Sequence, residues 1–487
     1  MQPALELLDS SLLERIIGEG IELQRDPGIK IHNQEALRLL ADAGASVDRA
    51  SMVARIPQSL VERTLATAPN AFALYSSDGR AAVHYQDNRV HFDPGSAAVN
   101  ILDGTTGRHR PPVTADYVRF TQLTELLPAY DAASTAFVCS DVPGEIGDLY
   151  RLYLSLLYTR KPVVTGAFSI PTLHVMKDLL VAEAGSLEAL AARPRAVFDV
   201  CPTPPLVWSE LTCQNMMDCA RYGIPVQFVS MPLAGSAAPV TLAGALVQHT
   251  AESLSGVVIT QLARPGAPLV WGGAPAITDM RYGSTPMGAI ETGMIDVGCA
   301  QIGKRLGLPT HAYLVTSDSK VVDVQAGFES GMNALLGALA GINMISGAGM
   351  LDFLRAQSLE KLVVDAEIIA MAKRLLAGIE ARDESLGADL IRAVGHHGQF
   401  LGQKHTTRWF AREHHIPSEV VDRASLATWE EMGRLSATER AQRRAASLLA
   451  AYRTPPLAPE VRRELRAIAL GAARQHGMEQ LPPLEGE

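Results

Sequence analysis

The sequence predicts an α/β protein built on a (β/α)8 TIM barrel, with an N-terminal helical cap and a C-terminal helical extension. Three observations lead to this prediction. Short apolar runs alternate with helical patterns, which is typical of parallel strands that are buried on both faces. About eight such units fit into roughly 260 residues, the number and size of a barrel. No Gly-x-Gly-x-x-Gly follows any of the runs, so a doubly wound sheet is the less favoured alternative.

The candidate strands are short, rich in β-branched and other apolar residues, and each is followed by a helical pattern. They span about residues 90–93, 132–139, 162–167, 196–200, 225–230, 268–272, 310–316 and 342–346.

The flanking regions differ in texture from this repeat. Residues 1–85 are predicted as a helical cap and lead-in, because apolar residues recur at helical spacing and Pro57 is suited to the first turn of a helix. Residues 86–352 are predicted as the catalytic barrel. Residues 353–487 are more charged and mostly helical in pattern, so we expect an extension that packs on the barrel.

Composition limits the classes of partner. The 487 residues carry a formal net charge of −9 and no long run of Lys or Arg, which disfavours nucleic acid and anionic membranes. The five cysteines form neither a Cys-x-x-Cys pair nor a disulfide framework. Neither a signal-peptide pattern nor an apolar span of membrane length occurs, so a soluble, cytoplasmic protein is expected.

Polar residues follow the last two candidate strands. Thr316, Ser317 and Asp318 come after the seventh strand, and Gly347 and Gly349 after the eighth. Loops at the carboxyl ends of parallel strands carry ligands in barrels, so both loops are predicted to line one mouth. An ordinary cap and turn cluster is the alternative, since Ser and Asp favour both.

Three further groups have a functional and a structural interpretation. Gln325 and Glu329 are four residues apart on one predicted helix face, where a solvated pair is the alternative. The loop with His396, His397 and His405 is the densest imidazole cluster, and could equally be a plain surface loop. A zinc site drawn from Cys139, Cys201 and His311 is also considered, although free Cys is most often a small buried apolar residue.

Several stretches together resemble the trimethylamine methyltransferase family, in the right order over about residues 20–450. They are DPGIKI (26–31), CPTPPL (201–206), ARYGIPV (220–226), the run at 231–268, SDSKVVDVQAGFE (317–329) and the run at 338–351. The resemblance implies a cytoplasmic barrel that moves a methyl group from a methylated amine to the cobalt of a corrinoid on a separate small protein. It also implies an assembly of identical subunits.

One departure from the family pattern bears on the substrate. Family members that use trimethylamine carry pyrrolysine one residue before a Ser-Asp-x-Lys sequence, and in this chain that position is Thr316. The chain therefore resembles the branch without pyrrolysine, whose known activities include demethylation of glycine betaine and related quaternary amines. No Asp-x-His-x-x-Gly motif is present, so the corrinoid is expected from a partner protein, with no metal bound by this chain.

A quaternary amine is already a cation with a neutral leaving group, so its demethylation needs placement rather than a general acid. We therefore predict a cation pocket at the mouth. The predicted catalytic set is Thr316, Ser317, Asp318 and Glu329; the substrate-binding set is Tyr313, Trp271 and Gln325; the corrinoid or partner contacts are His396, His397, His405, Gly347 and Gly349. A zinc-activated methyltransferase and a non-catalytic amine-binding barrel are the alternatives.

Overall fold

Eight parallel strands form the centre of the protein. The computed structural model describes residues 4–383 and 385–484. The strands are β1 (His91–Pro94), β2 (Ala133–Ser134), β3 (Val163–Thr165), β4 (Ala196–Val200), β5 (Val226–Phe228), β6 (Leu269–Gly273), β7 (Thr310–Tyr313) and β8 (Met344–Ala348). β2 to β8 are neighbours in chain order and β8 pairs with β1. The ring closes between β1 and β2, where the amides of Ala97 and Ala98 donate to Thr135 O and Ala136 O at 3.0 and 2.9 Å.

One long helix follows each strand and covers the outside of the barrel. The helices are α1 (Thr114–Leu126), α2 (Gly147–Tyr158), α3 (Ile170–Ala184), α4 (Glu210–Tyr222), α5 (Leu242–Ala263), α6 (Ile290–Arg305), α7 (Val324–Leu339) and α8 (Leu359–Leu376). The predicted (β/α)8 barrel is thereby confirmed. Every residue of β3, β5, β6, β7 and β8 is buried, as expected for parallel strands with helices outside and side chains inside.

The amino end of the barrel is closed by apolar side chains. Val164, Val197, Val270 and Met344 point inward from four strands and pack together. A hairpin of Phe72–Tyr75 and Ala81–Tyr85 lies against them, with Leu74, Val83 and Tyr85 buried in the same cluster. This plug leaves the carboxyl end as the open end of the lumen.

The N-terminal region packs on the barrel through α5. It contains the helices Ser10–Arg25, Gln34–Asp42 and Gln58–Leu65, together with the strands Ile29–Ile31, Ser46–Asp48 and Val53–Arg55. These strands form a sheet with Val207–Trp208 from the loop after β4. A Cβ on Gly20 would lie 2.6 Å from Thr250 Cγ2, so the first helix approaches α5 closely only because glycine stands there.

The region after α8 is helical. Its helices are Ala388–Val394, Lys404–Glu413, Leu426–Glu431, Ala437–Ala451 and Pro459–Gln475. The fourth packs against α8 and α1, and the fifth against α2 and α3. Across the described part of the chain, no helix is both long and apolar enough to cross a membrane.

Short elements decorate the carboxyl end. Asn100–Asp103, Arg108–Arg110, Met350–Leu351 and Ala356–Gln357 form a four-stranded sheet. Leu233–Ala234 pairs with Ala276–Ile277, and Gly144–Ile146 is a 3-10 turn. Leu187–Ala192 is a short helix after α3.

Candidate functional site

A row of hydrogen-bonded polar side chains crosses the lumen above the apolar plug. Asp199 of β4 accepts from Gln227 Nε2 of β5 at 2.8 Å and from the hydroxyl of Tyr313 of β7 at 3.3 Å. The Tyr85 hydroxyl, from the hairpin below, donates to Gln227 Oε1 at 3.3 Å. Asp199 thus lies at the centre of the barrel, between the plug and the mouth.

A second polar chain lies on the β1, β7 and β8 side of the lumen. Ser346 Oγ donates to Asp93 Oδ1 at 2.5 Å and lies 3.0 Å from His311 Nε2, while the His311 and Tyr313 rings meet edge to face at 5.2 Å. Asp93 Oδ2 and His311 Nδ1 are buried without a hydrogen-bond partner. Buried polar atoms are normally paired, so these two indicate polar space that the chain itself does not fill.

Burial controls the protonation of these groups. It raises the pKa of Asp199 to about 7, against the smaller opposing effect of the Gln227 hydrogen bond. Burial also raises the pKa of Asp93 well above its usual value and lowers the pKa of His311 to about 3. The imidazole is therefore neutral, and the lumen contains two carboxyl groups that would ionise more readily beside a cation.

An apolar collar lies between this polar layer and solvent. Tyr313 packs with Val229, Ala274, Ala276 and Met287, and the partly buried side chains of Cys201, Met231, Leu233 and Leu354 join them. The collar residues come from the carboxyl ends of β4 to β7 and from the loop after β8. They make the upper lumen apolar.

The loop after β7 forms a separate cluster at the rim. Asp318 Oδ1 and Oδ2 accept from the amides of Met287 and Gly288 at 2.8 and 3.0 Å. Glu329 Oε2 accepts from Ser317 Oγ at 2.6 Å and from the Asp318 amide at 2.8 Å. Glu329 therefore joins the loop after β7 to α7, and Asp318 joins the same loop to the loop before α6. Burial raises the pKa of Asp318 to about 6.

Gln325 completes that cluster. Its Nε2 donates to Glu329 Oε1 at 2.8 Å. The structure thus brings four of the predicted site residues together, but as a hydrogen-bonded joint between loop and helix.

Thr316 lies beside the loop after β8. It is fully buried and its hydroxyl has no hydrogen-bond partner. A Cβ on Gly347 would lie 3.4 Å from Thr316 Cβ, and Gly347 and Gly349 have φ values of 112° and 84°. Both glycines are buried at the carboxyl end, where a positive φ and close approach require them.

Trp271 lies outside the lumen. Its Nε1 donates to Cys299 O of α6 at 3.0 Å, and its ring meets His249 of α5 edge to face. Strand alternation points Val270 and Gly272 inward and Trp271 outward. The indole therefore packs between strand and helix, a placement that does not favour the predicted contact of Trp271 with substrate, which stays a prediction.

The segment that contains His405 lies at the other end of the barrel. α8 begins at the mouth, where the Ser358 amide donates to Gly349 O, and ends near Asp131, which accepts from Lys373 Nζ at 2.7 Å just before β2. Arg374 then donates to Glu413 O.

Further contacts hold the segment after α8 at this end of the barrel. Arg382 contacts Glu413, and His405 Nε2 lies 3.0 Å from Asp383 Oδ2. His396 and His397 are exposed in the same segment. α8 carries the segment with His405 away from the mouth, so this placement does not favour a contact of His405 with a corrinoid there, and the predicted contacts of the three histidines stay a prediction.

The five cysteines do not form a cluster. All five are free thiols, and burial raises the pKa of Cys201 to about 12. Within residues 4–383 and 385–484, no three His, Cys, Asp or Glu side chains are placed to hold a metal ion together. His311 lies in the lumen, bonded to Ser346 and separate from Cys139.

The sequence did not lead us to predict the polar residues of the lumen. Asp199 and Gln227 stand singly inside apolar strands, AVFDV and VQF. A lone polar residue at an inward position of a buried strand was the available signal, because burying it is costly unless it has a partner or a ligand.

Nearly the whole chain matches known proteins. Residues 1–477 match the family described as trimethylamine methyltransferase (MTTB). The trimethylamine methyltransferase MttB of Desulfitobacterium hafniense is 31% identical, covering 94% of this chain and 92% of its own length. The Methanosarcina barkeri MttB is 32% identical over 95% of this chain and 94% of its length.

Two further proteins resemble this chain, one in sequence and one in fold. A glycine betaine methyltransferase of Desulfitobacterium hafniense is 28% identical, covering 98% of this chain and 99% of its own length. The crystal structure of the Methanosarcina barkeri monomethylamine methyltransferase (MtmB) superposes with a TM-score of 0.51 at 10% identity, over 91% of this chain and 88% of that one, which shows a shared fold. The chain belongs to the trimethylamine methyltransferase family.

Proposed function

We propose that this protein is a methyltransferase that takes a methyl group from a quaternary amine, such as glycine betaine, and passes it to the Co(I) corrinoid of a separate carrier protein. The observation that carries the substrate class is Thr316, which stands where the resemblance places pyrrolysine in trimethylamine enzymes. The nearly full-length relative named as a glycine betaine methyltransferase supports it.

The lumen suits a permanently charged amine. Demethylation of such an amine releases a neutral tertiary amine, so no side chain has to donate a proton. The chain then has to orient the cation and exclude water. The apolar collar around Tyr313 supplies the dry surface, and the Tyr313 ring offers a face to the cation.

The carrier is proposed to approach from the carboxyl end. A Co(I) corrinoid supplies a strong nucleophile for the methyl carbon, and this chain must leave room for it there. The rim would suit a docked carrier, because four apolar side chains from the loops after β3, β5 and β6 are exposed there. They are Phe168, Val240, Met280 and Tyr282, at 46%, 65%, 70% and 81% exposure. Exposed apolar side chains around a mouth are typical of a protein-binding surface.

Ser317, Asp318, Glu329 and Gln325 have a supporting role in this proposal. They hold the loop after β7 against α7 and the loop before α6. The collar residues Met287 and Tyr313 stand at the two ends of that joint. The joint therefore sets the shape of the pocket wall.

We also propose that the protein is located in a reducing cytoplasm. Its proposed assembly is a complex of identical subunits. Five free thiols, four of them buried, support the first. The exposed apolar face of α7, formed by Val324, Phe328 and Met332, supports the second.

The direct test mixes purified protein, a reduced corrinoid carrier and a panel of amines, and follows conversion of Co(I) to methyl-Co(III) by absorbance. Glycine betaine or a related quaternary amine should methylate the cobalt, and trimethylamine should not. The carrier without this protein is the control. Failure of every quaternary amine to react would overturn the proposal, and tight amine binding without transfer would identify a binding protein.

A further inference from the structure

Asp199 lies in the lumen without a positively charged partner. Its carboxylate oxygens accept from Gln227 and Tyr313, both neutral, and it takes part in none of the ion pairs formed by the described residues. Asp93 is likewise unpaired, and its Oδ2 has no hydrogen-bond partner at 1% exposure. A buried carboxylate is costly unless a cation or enough donors compensate it.

The surroundings favour a large cation that makes no hydrogen bonds. Tyr313 presents an aromatic ring next to Asp199, and Val229, Ala274 and Cys201 surround that ring with apolar surface. A metal ion would need several more oxygen ligands than these residues offer. A quaternary ammonium requires only negative charge and apolar contact.

Asp199 is partly accessible from the lumen, and its neighbour in the loop after β3 has no side chain to cover it. Gly166 of the loop after β3 has no side chain, and a Cβ there would lie only 3.5 Å from Asp199 Cβ. Asp199, Gly166 and Cys201 are each partly accessible despite their position inside the barrel.

We propose that Asp199 is the counter-ion of the substrate and, with the Tyr313 ring, binds the ammonium group of a quaternary amine at the floor of the lumen. This inference rests on the proposed function and adds the anionic group that the rim carboxylates cannot supply, because Asp318 and Glu329 already accept hydrogen bonds from loop amides and from Ser317.

The proposal predicts a pH dependence of binding. A quaternary ammonium does not titrate, so the protein must be the source of any pH effect. The pKa of Asp199 is about 7, so a cation that favours the carboxylate should bind about tenfold more weakly per pH unit below that value and evenly above it. Binding below pH 7 should release a proton to the buffer.

The charged and titratable groups around Asp199 are few. Arg151 lowers its pKa from a distance while donating to the backbone of Thr135 and Gly166. Asp93, Tyr85, Tyr313 and Cys201 complete the set, and burial raises the pKa of each of these four. Asp199 is therefore the group expected to titrate near neutrality.

The experiment measures binding calorimetrically without a carrier, using glycine betaine and its carbon isostere 3,3-dimethylbutanoate, which lacks the ammonium charge. The two differ only in the positive charge, so any shared effect of their carboxylates cancels. Wild type should prefer the betaine at pH 8. Asp199→Asn should weaken betaine binding roughly 10- to 100-fold, as expected for a charge at 4–6 Å in a partly polarisable site, and leave the isostere unchanged.

Asp178→Asn is the matched control, because this carboxylate is 52% exposed on α3 and paired with Lys177. It should bind both ligands as wild type does. If Asp199→Asn does not fold, titrations of wild type in two buffers with different ionisation enthalpies still report the released proton.

Equal affinity of wild type for the two ligands, no proton release at pH 6, or unweakened betaine binding by Asp199→Asn would each overturn the inference. Absence of binding by any quaternary amine would do so as well. Strong betaine binding that depends on Asp199 with no methyl transfer would overturn the proposed function alone. Full methyl transfer by Asp199→Asn would overturn this inference alone.

Discussion

Thr316 is a small polar residue at a fully buried position, and its hydroxyl has no partner. An unpaired buried hydroxyl costs stability, so its presence needs a reason. The resemblance places pyrrolysine at this position in trimethylamine enzymes, and a threonine hydroxyl cannot replace that long side chain. Two roles remain open to experiment, a contact with substrate or simple filling of the space beside Gly347.

Thr316→Val separates these two roles. Valine has the same shape without the hydroxyl, so we expect the free energy of unfolding in urea to rise by up to about 1 kcal/mol. If the hydroxyl contacts substrate, the rate of cobalt methylation should fall at least tenfold while the fold is kept. Unchanged methylation would show that Thr316 only fills space, and a large loss of stability would contradict the unpaired hydroxyl.

Asp318 and Glu329 show how a carboxylate can be committed to structure. Each of the two Asp318 oxygens accepts one loop amide, and Glu329 accepts from Ser317, Gln325 and the Asp318 amide. The place of Asp318 after β7 and that of Glu329 on the following helix were predictable. The direction of their side chains, toward α6 and α7 rather than the lumen, depends on contacts between segments more than ten residues apart.

At the scale of elements, the loop after β8 forms a strap across the mouth. Asp352, Phe353 and Leu354 have φ values of 51°, 57° and 65°, a left-handed run that costs about 1–2 kcal/mol per residue. The Asp352 amide donates to Ser319 O at 2.9 Å, and Leu354 enters the apolar collar. Lys320 Nζ lies 3.9 Å from the centre of the Phe353 ring and 3.8 Å from Asp352 Oδ1.

Loosening this strap should be possible without unfolding the barrel. Lys320→Met removes the cation from the Phe353 ring and from Asp352 but keeps an apolar stem, so amides 352–355 should exchange with deuterium several times faster. The melting temperature should change by no more than about 2 °C, because exposed ion pairs contribute little.

Lys177→Met is the control for the strap experiment. Lys177 of α3 also faces a ring, that of Tyr222 at 5.5 Å, and also pairs with the neighbouring Asp178. It is far in sequence from the loop after β8. Its substitution should leave exchange at 352–355 unchanged. Equal exchange in both variants would show that the left-handed turn holds without Lys320.

At the scale of the whole molecule, the outer face of α7 is unusually apolar. Val324, Phe328 and Met332 recur every four residues and are 83%, 57% and 52% exposed. Met294 on the neighbouring α6 is 38% exposed. A contiguous apolar stripe of this kind is typical of a surface covered in an assembly, and the expected occupant is a second copy of this chain.

Light scattering of the purified protein checks this expectation. Wild type should have a mass at least twice that of one chain, and the double variant Phe328→Glu with Met332→Glu should have a smaller mass. Ile391→Glu, at a 59% exposed position after α8, is the control and should leave the mass unchanged. A wild-type mass of 52.1 kDa would contradict the prediction.

The sequence by itself determined the barrel, its eight strands and the family. Runs buried on both faces leave a strong apolar signal, and the motifs around Thr316 can be read without coordinates. Because such runs are apolar throughout, they do not reveal which residues face inward. Tyr313 and Trp271 were therefore equally plausible until the structure placed one in the lumen and the other against α6.

Tertiary structure alone decided two other matters. Strand pairing sets Asp199 beside Gln227 on β4 and β5, but only barrel closure brings Tyr313 of β7 across the lumen to Asp199. The 18 residues of α8 span roughly 27 Å, which takes the segment that contains His405 to the end opposite the mouth. Spacing along the chain reports local periodicity, whereas the direction of a side chain in a closed barrel is set by its packing neighbours.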